Sequence, residues 1–118
     1  VRTDDIKKLI AQCSDENGGL LALAVRDTMK RSDSESNVVE TVDRNNLWHA
    51  LTPQMFRLDL LIEALQSAQH ENLAITDDAS AMELADYRPK LLEAHEDNIK
   101  ITRAFDLELA ELYMKKQG

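Results

Sequence analysis

Apolar residues recur every three to four positions in several stretches of this chain and run unbroken in one. Ile6, Leu9 and Ile10 form a stripe at helical spacing behind Thr3, Asp4 and Asp5. The pattern predicts a helix to about Cys13, capped by Thr3, with both carboxylates at the positive end of its dipole. Asn17-Gly18-Gly19 ends it, because glycine takes positive φ at little steric cost. Leu20 to Val25 is then a continuous apolar run of strand length. A strand without alternation is one covered on both faces, which favours an α/β class over an open antiparallel sheet.

The next stretch is polar. Val25 to Arg31 and Thr41 to Gln54 lean towards β structure on either side of Ser32-Asp33-Ser34-Glu35-Ser36-Asn37, whose small polar side chains bond their own backbone in turns. This predicts a projecting β-hairpin. With so thin an apolar face it must lie on a sheet or on another chain. Beyond Pro53, Leu58, Leu61, Ile62, Leu65 and Ala68 predict a second helix ending near His70. Thr76, followed by Asp77 and Asp78, reads as the cap of a short third helix reaching about Ala85. Lys90 to Ala94 and Asn98 to Ile101 read as short strands around a polar loop, His95-Glu96-Asp97. Thr102 reads as the cap of a fourth helix with Phe105, Leu109, Leu112 and Tyr113 on one face.

Composition narrows the function. At 118 residues the chain is one domain or part of one. Its formal charge of −8 disfavours a nucleic acid backbone or an anionic membrane as partner, and no apolar run approaches the roughly 20 residues that span a bilayer. A single cysteine, Cys13, forms no internal disulfide and fits a reducing compartment. Val1-Arg2-Thr3-Asp4-Asp5 lacks the features of a signal peptide, so the expected location is the cytoplasm.

Candidate chemistry is sparse. His49, His70 and His95 have no metal-ligand spacing among themselves or with Cys13. Asp77 and Asp78 already have a role at a helix start, and Trp48 between Leu47 and Leu51 reads as packing. The basic residues Arg26, Lys30, Arg31 and Arg44, with the hydroxyls of Thr28 and Thr41, are a donor set that grips phosphate. Pairing with Asp27, Glu40 and Asp43 is the competing account, and residue types alone leave both open. Lys100 stands between Ile99 and Ile101, where alternation puts it opposite the isoleucines.

Five segments carry a resemblance: Val-Arg-Asp-Thr-Met-Lys-Arg from Val25, Thr-Val-Asp-Arg-Asn from Thr41, Leu-Trp-His-Ala-Leu-Thr-Pro-Gln from Leu47, Ile-Thr-Asp-Asp-Ala-Ser-Ala from Ile75, and Asp-Asn-Ile-Lys-Ile-Thr-Arg from Asp97. In this order and at this spacing they resemble the C-terminal half of the methylerythritol phosphate cytidylyltransferases, from about Val1 to Met114. The resemblance implies the C-terminal part of a Rossmann-like α/β sandwich in which residues of about 26–45 form an arm that locks around a second subunit. It implies transfer of CMP from CTP to 2-C-methyl-D-erythritol 4-phosphate with Mg2+, releasing pyrophosphate. Arg44 then matches the arm arginine that holds the substrate phosphate in the partner's site, and Lys100 the lysine that positions that phosphate for attack. Thr28, Thr52 and Thr76 match threonines of the same site, and Asp97 an acidic residue near the metal-bound triphosphate.

The family's N-terminal CTP-binding half has no counterpart in these residues. The expectation is therefore a piece inactive alone, partnered by a homodimer mate and by a companion chain carrying the rest. Ala24 stands where proline is frequent, and Ala104-Phe105 where Pro-Glu is common; neither touches Arg44 or Lys100. A ribitol phosphate cytidylyltransferase is the rival enzyme, disfavoured by the Leu47 to Gln54 segment, and a non-catalytic dimerisation module is the rival of another class.

Overall fold

The computed structural model describes residues 1–118. Helix α1 (Thr3–Gln12) turns Leu9 inward, and Cys13 follows it into the core. Its N-cap is Arg2, which makes no side-chain capping bond, so Thr3 is the first helical residue and not the cap. The chain then reverses at Gly18, whose φ is +65°, where a Cβ would lie 2.5 Å from the Met55 carbonyl oxygen and strike the Phe56 ring. Glycine alone fits both the backbone angle and the space.

Strand β1 (Gly19–Ala24) is the centre. Leu20, Leu21 and Ala22 are 4%, 0% and 0% exposed, and because neighbours on a strand point to opposite faces, both faces are covered, as the unbroken apolar run requires. Strands β2 (Met29–Ser32) and β3 (Val38–Val42) pair antiparallel as a two-stranded sheet of their own. The hairpin is thus shorter than the sequence suggested. Its second predicted arm is divided, because Trp48–Met55 forms β4, which leaves the hairpin and pairs antiparallel with β1. Trp48 is accordingly half-buried on an edge strand and not a core residue.

Helices α2 (Leu58–His70) and α3 (Asp78–Leu84) bury Ala64, Ala81 and Met82 against Phe56, Leu61, Leu65 and Tyr87. Strand β5 (Lys90–Glu93) pairs parallel to β1, completing a sheet in the order β4-β1-β5. Leu9, Cys13, Leu21, Leu92 and Ala94 form the other core cluster. Residues 98–101 are not a strand; they continue a loop after β5. Helix α4 (Ala104–Gln117) buries none of its residues, and Phe105 is 71% exposed. Its N-cap is Arg103; Thr102 instead donates its N–H and hydroxyl to the Asp106 carboxylate. The radius of gyration is 16.6 Å, against about 13–14 Å for a compact domain of this length, as expected of a chain whose hairpin and last helix project.

Candidate functional site

Between Leu20 and Ala22 of β1 lie two residue steps, but their partners on β4, Gln54 and Ala50, are four steps apart. The ladder is broken there, and Thr52 stands in the irregular stretch. Such bulges re-aim side chains and recur beside functional sites. A cavity of about 470 Å³ opens at this point, walled by Thr52 and Gln54 from β4, Thr76 and Asp77 before α3, and Asn98 to Lys100 from the loop after β5.

Each wall has a local cause. Asp77, not Thr76, is the N-cap of α3: its Oδ1 accepts from the Ser80 N–H at 2.8 Å, while the Ser80 hydroxyl accepts from the Asp77 N–H at 3.2 Å. Thr76 is left exposed at the rim. Gln54 joins this wall to β4. Its amide nitrogen donates to Asp77 Oδ2 at 3.0 Å and to the Leu51 carbonyl at 3.2 Å, and its oxygen accepts from the Ala79 N–H at 3.0 Å.

The Lys100 wall is held at three points. Asn98, 8% exposed, donates its amide to the Thr52 carbonyl at 2.7 Å. His95 donates its backbone N–H to Asp5 Oδ2 at 3.1 Å, with its ring Nδ1 2.9 Å from both carboxylate oxygens. Burial pushes the Asp5 carboxyl up, but the hydrogen bonds from His95 outweigh it and leave Asp5 below its ordinary 3.8. Asp97 Oδ2 accepts from the Arg2 guanidinium at 2.9 and 2.7 Å and from Gln117 at 2.8 Å; hydrogen bonding from Arg2 holds its carboxyl below the usual carboxylate value.

Of the residues singled out in the sequence, the fold thus brings Thr52, Thr76 and Lys100 to one cavity. Thr28 and Arg44 lie elsewhere, both exposed at the base of the hairpin, where Arg44 donates to the Arg26 carbonyl. Asp97 lines no part of the cavity and is engaged with Arg2. The other hairpin cations are largely paired: Arg31 with Glu40 at 2.9 Å, Lys30 with the Thr41 hydroxyl at 2.7 Å, and Arg26 with Glu96. A second cavity of about 440 Å³, with Trp48, Tyr87 and Arg88 in its lining, adjoins the first through Ala50 and Asp77. No group of three or more His, Cys, Asp or Glu comes together as a metal site. No helix is long and apolar enough to cross a membrane.

Residues 1–116 match the family described as 2-C-methyl-D-erythritol 4-phosphate cytidylyltransferase. The enzyme so named from Aliivibrio fischeri (strain ES114) is 52% identical over 117 residues, covering 98% of this chain and 49% of the relative. That of Mannheimia succiniciproducens is 50% identical over 114 residues, with 97% and 50% covered. The crystal structure of the Francisella tularensis enzyme superposes with a TM-score of 0.87 at 38% identity, over 95% of this chain and 53% of that one. The chain spans about half the length of the relatives it matches.

Proposed function

This chain belongs to the 2-C-methyl-D-erythritol 4-phosphate cytidylyltransferase family, and we propose that it supplies the acceptor side of that enzyme's catalytic centre. The reaction is transfer of CMP from CTP to 2-C-methyl-D-erythritol 4-phosphate. The observation that carries this reading is the cavity shared by Thr52, Thr76 and Lys100, three residues from three separate elements. One cation and two hydroxyls on converging walls suit a polyol phosphate.

In this mechanism the Lys100 ammonium holds the acceptor phosphate in line while one of its oxygens attacks the α-phosphorus of CTP and pyrophosphate leaves. No covalent enzyme intermediate is required; positioning and countercharge supply the rate. Arg44, with Thr28, is too far round the fold to line the same cavity and is proposed to act from the β2–β3 arm on a partner subunit. The planar fork of an arginine suits a bidentate grip on phosphate. The CTP-binding residues are expected from outside these 118 residues, and the chain alone is expected to be inactive.

Magnesium, expected with CTP, would neutralise triphosphate charge. In this chain Asp97 offers it little: Oδ2 is taken by Arg2 and Gln117, and Oδ1 is buried without a hydrogen bond. One free oxygen is far from the six that magnesium usually gathers, so these residues do not hold the ion by themselves.

Mixing subunits tests the reading. In full-length enzyme carrying this chain, Arg44→Ala and Lys100→Ala should each lower turnover by about 100-fold or more, the scale of losing one charge-stabilising group. Co-refolded, the two variants should regain activity in heterodimers that contain one intact site. Heterodimers without recovery would remove the arm from the active site. Side-by-side assays with ribitol 5-phosphate fix the acceptor.

A further inference from the structure

The cavity's three walls come from parts of the chain far apart in sequence, and two uncharged side chains join them. Gln54 spans from β4 to the start of α3, and Asn98 spans from the Lys100 loop back to β4. Both reach the irregular stretch of β4, on the successive carbonyls of Leu51 and Thr52. The chemistry fixes which end of each amide faces which wall. A carbonyl oxygen only accepts, so the Asn98 nitrogen must face Thr52. Gln54 has one orientation that puts its two donors on oxygens and its acceptor on the Ala79 N–H. Asn98 is almost wholly buried, where losing a hydrogen bond costs more than it does in water.

We propose that Gln54 and Asn98 are positioning residues, which set the distance from Thr52 to Thr76 on one side and to Lys100 on the other and so tune the cavity to a polyol phosphate. This rests on the assignment of the cavity as the acceptor site. Neither side chain carries the charge needed to counter a transition state; each acts through the wall it fixes. Asn98 acts on Lys100, two residues along the loop, and Gln54 on Thr76 through the capped turn at Asp77. Misplacing a binding group by about 1 Å is enough to cost roughly 100-fold in a reaction that depends on geometry.

The test is steady-state kinetics of full-length enzyme carrying this chain, with methylerythritol phosphate and CTP varied separately. Asn98→Ala and Gln54→Ala should each raise the KM for the acceptor about 10-fold or more while the KM for CTP stays within about twofold. Asn98→Asp keeps the shape and loses the donor. With its carboxylate facing the Thr52 carbonyl, it should raise the acceptor KM at least as far as Asn98→Ala. In a Lys100→Ala background, adding Asn98→Ala should change the acceptor KM by less than about threefold, since both act on one contact.

Equal rises in both KM values, or losses that follow only the fraction of folded protein, would overturn the proposal. So would parent-like kinetics in Asn98→Asp. If Asn98 variants do not fold, the half-buried Gln54 carries the same test alone. Lys100→Ala separates the two levels: if it leaves the acceptor KM and turnover unchanged, the site assignment fails first. If it raises the acceptor KM while Gln54→Ala and Asn98→Ala do not, only the positioning role fails.

Discussion

The β2–β3 hairpin and the β4-β1-β5 sheet use the same backbone pairing, yet they are stabilised in different ways. In β1 four successive residues are buried; in β2 none is, and in β3 only Val42 is even partly covered. Val38 and Val39 are more than 60% exposed. The β2 and β3 side chains pair across the hairpin, Arg31 with Glu40 and Lys30 with Thr41. Exposed pairs of this kind are worth little, so ladder hydrogen bonds are not enough to fix an isolated hairpin. Pairing gives a strand its shape, and burial gives it stability. A projecting ribbon with two exposed valines fits the place proposed for it, against a second chain in a dimer.

The contrast can be broken by mutation. The largest effect should come from Leu21→Ala, which opens a cavity in the sheet core and should cost about 2–5 kcal/mol in chemical denaturation. Val39→Ser on the hairpin should stay within about 0.5 kcal/mol for the isolated chain. If the two lie close together, the hairpin is not the weakly held part.

Acid should sharpen the difference at an intermediate level. Asp5 and Asp97 both have folded values below the ordinary carboxylate 3.8. Each therefore adds stability that is complete above that ordinary value and is lost as pH falls through the lowered folded one. Melting temperature should drop in that acid range, and Asp5→Asn or Asp97→Asn should flatten the dependence. On the hairpin, Arg31→Ala should likewise have a small effect, under about 1 kcal/mol and reduced further by salt. A larger cost would show that the hairpin's own ion pair holds it.

Much of the sheet's first half is legible in the sequence because its signals are local. The unbroken apolar run of β1, the glycines before it and the helical stripes of α1 and α2 each depend on neighbours a few residues away. β4 is not legible in this way. Its polar alternation and Pro53 resemble a hairpin arm, and its true partner, β1, is set by long-range pairing. The caps shift by one residue for a related reason. Beside Thr76, Asp77 has the carboxylate that meets the Ser80 N–H, and tertiary placement chooses between adjacent candidates.

Of the candidate site, the charged and hydroxyl residues are visible through family motifs, and Thr52, Thr76 and Lys100 do meet. Lys100 is not on a strand; its loop is pinned by Arg2 and Asp5 at the start of α1, ninety or more residues earlier. Gln54 and Asn98 leave no signal of their own. An amide carries no charge and follows no period; both lie inside the family-like segments, but nothing there marks them out from Thr52 or Lys100.

Cys13 has a consequence for experiment. Its thiol is 1% exposed and lies against Gly19, where a Cβ would strike the sulfur, and burial raises its pKa. A thiol in that state does not react until α1 lifts from the sheet. As the chain's one cysteine it is a native clock: the rate at which a thiol reagent modifies it reads how often the core opens, with no label added.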